Sequence, residues 1–210
     1  MAVGKEIFSQ ILADAERRKM VTRLNRRSLN WFRRKVQTAT KGKTVSKRSI
    51  MSQRDDMSSR VMIGRMYHFS YDAKHKDTLP YWDMFPLVIP IEMYKDGFLG
   101  LNMHYLHPRM RARLMDALFT TITDKNLNER AKLRISYSLL SEASRFRFFQ
   151  PTVKRYLYKQ VRSRYLQIDP KEWSIALFLP TEKFQKKTKQ EVWKESRKII
   201  SQSRRRRRRR

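Results

Sequence analysis

Cysteine is absent from this sequence, which excludes disulfides, thiolate nucleophiles and cysteine-ligated zinc. That fits a reducing compartment. Glycine is scarce at five residues, and no glycine-rich phosphate cradle, Gly-x-Ser-x-Gly or His-Glu-x-x-His pattern occurs, which argues against an ATP-driven motor. No stretch nears the roughly 18 to 20 apolar residues of a membrane span. The opening "MAVGKEIFSQILADAERRK" has no continuous apolar core, so neither secretion nor membrane insertion is expected. Acids are few as well: 19 Asp and Glu face 49 Lys and Arg, for a net charge of +30.

That imbalance is the strongest statement the chain makes. A compact domain repels itself at such charge, and the ordinary reason to tolerate it is a polyanion that neutralises it. The closing "SQSRRRRRRR" supplies Arg204, Arg205, Arg206, Arg207, Arg208, Arg209 and Arg210, yet removing them leaves 30 − 7 = +23. The run is open to three readings: a purification tag, a localisation signal, or a flexible phosphate-binding tail. The last agrees best with the charge on the rest of the chain. Seven arginines on DNA phosphates would steepen the log-log salt slope by roughly six.

Hydrophobic residues make up 40% and aromatics 11%, enough for a real core. Residues 1–60 read as a basic arm, helical through "EIFSQILADAERRKMVTRLNRRSLNWFRRKV" and then Ser/Thr/Lys-rich from Thr38 to Ser59, a linker or a segment ordered by its partner. Residues 61–200 read as an α+β core, and 201–210 as an arginine-rich tail. In the core, "VMIGRMYHFSY" suits a strand and "LVIPIEMY-KDG-FLGLNM" a hairpin, with Pro86 and Pro90 placing its first arm on a sheet edge. Helices are expected from Pro108, from about Asn128 to Leu140, from near Pro151, after Asp169-Pro170, and through Phe184, Trp193 and Ile200. The layout is a small antiparallel sheet followed by several helices.

Two cationic groups stand out. Arg26, Arg27, Arg33, Arg34 and Lys35 bracket Trp31 and Phe32, which either stack on unpaired bases or sit in the core. On a helix over "TVKRYLYKQVRSRY", Val153, Leu157 and Val161 share one face, while Arg155, Lys159 and Arg162 form a stripe opposite, with almost no acids interleaved. Such a stripe suits phosphate or is merely solvated. The histidines His68, His75, His104 and His107 lie near Asp72, Asp83 and Asp96, which raises a metal-dependent nuclease as a competing reading. Surface and core histidines in a polar loop are the blander account, and neither a metal nor a cofactor is expected.

Three stretches carry a likeness: "YHFSYDAKHKDTLPYWDMFPLVIPI" (67–91), "DGFLGLNMHYLHPRMRARLMDAL" (96–118) and "EWSIALFLPTEKF" (172–184). Over about 61–200 the chain resembles the DNA end protector or head-completion proteins of T-even-like tailed phages, cyanophages in particular. The resemblance implies a non-enzymatic virion protein at the portal vertex, present in the host cytoplasm during assembly and after injection. Its implied partners are double-stranded DNA ends and portal or neck proteins, with no small-molecule substrate. The genome end would be retained and shielded from host exonuclease, and no catalytic residues carry over. The alternatives are a structural neck protein meeting an acidic portal partner and an RNA-binding, ribosomal-type protein.

Overall fold

The computed structural model describes residues 11, 14, 17–18, 26–40, 47–51, 57–111 and 150–208. The strands are β1 (Met57–Ser58), β2 (Met66–His68), β3 (Trp82–Asp83), β4 (Leu87–Tyr94), β5 (Gly97–Asn102), β6 (Val153–Leu157), β7 (Tyr165–Ile168) and β8 (Phe184–Gln185). Six of them form an antiparallel sheet in the order β1-β7-β2-β4-β5-β6, and β3 pairs with β8 in a separate ribbon. The helices are α1 (Arg26–Thr40), α2 (Lys47–Met51), α3 (Trp173–Ala176) and α4 (Lys189–Arg208). A further helical turn opens at Pro108, as its fixed φ favours. The molecule is α+β.

Alternation along the strands loads both faces of the sheet. Met66, Leu87, Ile89, Leu101, Leu166 and Ile168 form a core with Trp31 and Val36 of α1, Ile50 of α2 and Trp173, Ile175 and Ala176 of α3. On the opposite face Tyr67, Phe69, Phe98, Tyr156 and Tyr165 pack as a cluster of mostly edge-to-face rings. Gly97 and Gly100 allow close packing within the sheet: a Cβ at Gly97 would run into the Tyr156 carbonyl, and one at Gly100 into the Val88 side chain.

Several expectations need correction. Residues 153–168 are not a helix but strands β6 and β7 joined through a 3-10 turn at Tyr158–Gln160. A spacing of four satisfies an even strand position as well as a helix face, and ladder pairing with β5 and β2 decides between them. The first hairpin arm, β4, lies inside the sheet rather than on its edge. Pro90 is tolerated because β2 pairs only Leu87 and Val88 of β4 and the β5 register shifts between Pro90 and Glu92, so the position is a local edge. The Thr38–Ser59 stretch holds α2 and strand β1 rather than linker alone.

The last helix starts at Lys189, not Phe184. Between them Lys186 adopts a left-handed backbone (φ 65°) and its ammonium donates to the carbonyls of Lys76, Asp77 and Leu79. Thr188 and Glu191 then form a reciprocal capping box. The helix carries on through Arg208, so Arg204–Arg208 extend α4 instead of forming a separate tail. The helix expected over 128–140 lies outside the described residues, as do Arg209 and Arg210.

Candidate nucleic-acid interface

The histidine and aspartate loop closes into a buried network. Asp83 ends β3 and accepts from His104 Nδ1 (2.8 Å), from Asn102 Nδ2 (3.0 Å) and from the Phe85 backbone N–H (3.1 Å). Asn102 also donates to the Tyr156 hydroxyl and accepts from the His104 backbone N–H, which caps the 3-10 turn at Met103–Tyr105. Thr181 Oγ1 lies 3.0 Å from His104 Nε2. The order Thr181–His104–Asp83 has the polarity of a hydrolase relay, but the three residues are 2%, 0% and 3% exposed. The network fixes β3 and β5 to the chain after α3.

His68 stacks on Phe85 and gives Nδ1 to the Pro86 carbonyl, and burial followed by repulsion from His104 pushes its pKa down to about 3. His75 is exposed and His107 half-buried. Among the described residues, no three His, Asp or Glu side chains gather as metal ligands.

A second buried pair is Arg111 with Glu182. Arg111 is fully enclosed, donating to the Leu106 carbonyl (2.8 Å), the Leu177 carbonyl (2.9 Å) and the Glu182 carboxylate. Burial alone would raise the Glu182 pKa, but Arg111, His104 and Lys189 outweigh it and hold the group at about 2. This cation staples the turn at Pro108 to α3.

The remaining cations divide by whether a carboxylate meets them. Arg155 pairs with Asp96 and lies over the Tyr94 ring, Arg162 lies 3.6 Å from Asp72, and Lys35 lies 2.5 Å from Asp14. Lys154, beside Arg155, is drawn over Tyr105, and burial lowers its pKa to about 8. The expected stripe is therefore not one uncompensated row: Arg155 and Arg162 hold different carboxylates, and exposed Lys159 sits between them on the 3-10 turn. Among the described residues, no carboxylate pairs with Arg33, Arg34 or Lys159. Arg26 and Arg27 open α1.

Trp31 is 8% exposed within the core, which removes it from base stacking. Among the described residues the exposed large aromatics are instead Tyr94 and Tyr158, the latter lining a cleft of about 510 Å³ with Arg60, Met93 and Tyr165.

Tertiary packing brings one further group together. Arg33 and Gln37 of α1, His107 and Arg109 at the Pro108 turn, and Arg197 of α4 line a cleft of about 540 Å³. Val192, Ser196 and Ile200 bury one face of α4, which sets Arg197 beside that packed face. Among the described residues, no carboxylate pairs with Arg109 or Arg197 either. The local potential is visible in His107, whose pKa is lowered by burial and then by Arg111, Arg197, Arg109 and Arg33. Arg109 and Arg197 carry no motif of their own; the usable signals are the Pro108 helix start and the α4 periodicity.

These features define a basic α+β protein in which, among the described residues, most acids hold a partner while a set of arginines meets no carboxylate. The family model described as Phage T4 terminal DNA protecting protein matches residues 7–202, and the chain belongs to that family. The match bears out the likeness seen at 67–91, 96–118 and 172–184 and extends it through the basic arm. No curated protein and no solved structure matches the chain.

Proposed function

We propose that this protein binds the terminus of packaged double-stranded DNA at the portal vertex, retains it there, and shields it from host exonuclease. Membership of a DNA-protecting family supplies the kind of partner. The observation that carries the reading is the gathering of Arg33, Arg109 and Arg197 without carboxylate partners among the described residues, the last of them on the helix that continues through Arg204–Arg208. At about 1.5 Å rise per residue, α4 takes the chain from Arg197 to Arg204–Arg208 over roughly 10 to 17 Å, a span of several phosphates. Arg34 and Lys159 add exposed charge, and among the described residues Tyr158 offers an exposed ring to cap a last base pair. Such a set neutralises backbone without reading base edges, so binding is salt-sensitive and sequence-tolerant.

The test compares affinity for a linear duplex with a closed circle of the same sequence, then challenges the linear form with an exonuclease. Preference for the linear form, with protection weakened by deleting residues 204–210, is the expected outcome. Equal affinity for both forms would mean generic coating. Stronger binding to an RNA duplex at equal ionic strength would favour an RNA-binding role, and binding confined to an acidic portal protein would favour a neck role.

A further inference from the structure

We propose that the cleft between α1, the Pro108 turn and α4 receives a terminal phosphomonoester of a DNA strand, which gives the protein a means of telling an end from the interior. The inference rests on the end-binding reading above and adds the chemical group recognised. Three arginines, Arg33, Arg109 and Arg197, line the cleft from segments far apart in the chain and all act on His107 electrostatically, and among the described residues none meets a carboxylate. Like charges held at one site repel, and an anion between them relieves the repulsion. The cleft's volume of about 540 Å³ falls within the usual range for small-molecule sites, so it holds a phosphate with part of its nucleotide.

The charge of the ligand selects the terminal group. An interior phosphodiester carries one negative charge and two free oxygens. A phosphomonoester carries about 1.5 to 2 negative charges at pH 7 and three acceptor oxygens, enough for bonds from more than one guanidinium. An interior phosphate is also flanked by sugar on both sides, whereas a terminal one enters a recess directly. His107 sits in the same cleft as an acceptor, taking the Arg109 backbone N–H at 3.3 Å, and its ring packs edge-on against Trp193. Those contacts hold the Arg109 turn in place beside α4.

The experiment uses the full chain and blunt duplexes of one sequence bearing a 5′-phosphate, a 3′-phosphate or hydroxyls alone at their termini, with a closed circle as background. Fluorescence anisotropy at moderate salt gives the affinities. One phosphorylated form should bind at least about tenfold more tightly than the hydroxyl form, the effect of a single hydrogen bond to a charged group. Which form gains identifies the strand end. Arg33→Gln/Arg109→Gln/Arg197→Gln should bind all three duplexes alike, while Lys74→Gln, an exposed charge elsewhere, should keep the discrimination. Equal affinity of the unaltered protein for the three duplexes overturns the inference without recourse to any variant. If linear DNA is still preferred over the circle in that case, end binding stands and only the phosphate receptor falls; if not, both fall.

Discussion

Replacing Arg111 with Met tests how much the buried charge pair contributes to stability. The side chain is fully enclosed, so its loss strands the Leu106 and Leu177 carbonyls and leaves Glu182, whose side chain is 2% exposed, with Lys189 at 3.7 Å as its remaining ion partner. Breaking a buried pair from one side costs about 3 to 5 kcal/mol, a large share of the 5 to 15 kcal/mol typical of a domain. The pH dependence should change sign. In the unaltered protein Glu182 has a folded pKa of about 2, below its unfolded value of about 4.3. Its contribution is thus complete above about 4.3 and is lost as pH falls toward 2. In the variant, burial dominates and raises the folded pKa above the unfolded one, so acid relieves the penalty. Urea denaturation at pH 7 and pH 4.5 should show the gap between the proteins narrowing at the lower pH, and Arg111→Met/Glu182→Gln should recover part of the loss. A gap below 1 kcal/mol, or one independent of pH, would refute the reasoning.

Gly97→Ala should destabilise by roughly 1 to 3 kcal/mol through collision with the Tyr156 carbonyl, read as a lowered Tm; an unchanged Tm would contradict the close approach of β5 and β6. His68→Phe keeps the stack on Phe85 and removes a histidine held neutral to about pH 3 beside His104, Glu182 and Arg111. Because the unfolded chain takes up that proton near pH 6.5, the native protein should lose about 2 kcal/mol between pH 7 and 5 that the variant does not, measured by urea midpoints. Trp31→Phe should lower stability and leave DNA affinity unchanged once folded protein is compared, since the ring is inside the core. Deleting residues 204–210 should flatten the salt dependence of DNA binding by up to about six log units per log unit of salt, and an unaltered slope would clear that helix end of phosphate contacts.

The fold class and the β4–β5 hairpin were legible because long apolar runs flank a short polar turn, and the Pro108 and Asp169-Pro170 starts because proline at a first helical position has a local cause. The β6–β7 segment was not, because Val153, Leu157 and Val161 fit both periods and only pairing with distant strands chooses. Trp31 was ambiguous because its burial depends on tertiary packing, of α1 against α3 above all. At the interface, charge alone marked Arg33. Its meeting with Arg109 and Arg197 comes from three remote segments, which neither a motif nor a hydrophobic period encodes.

The division of cations explains how so basic a chain still folds. Asp14, Asp72, Asp96, Glu182 and Glu195 each hold a lysine or arginine, Lys186 is held by three backbone carbonyls, and Arg111 is sealed inside the structure. These contacts turn part of the positive charge into structural support. The surplus of +30 remains after every acid is counted, so the cost of its self-repulsion is carried by cations that no carboxylate meets. An anion that occupies them therefore relieves that cost as it binds, and by linkage a ligand of the native state stabilises the fold in proportion to its occupancy. For a protein whose partner is a DNA terminus, the same electrostatic term then governs both attachment and stability, while the Asp83–His104–Thr181 network, closed to solvent, holds the sheet irrespective of the partner.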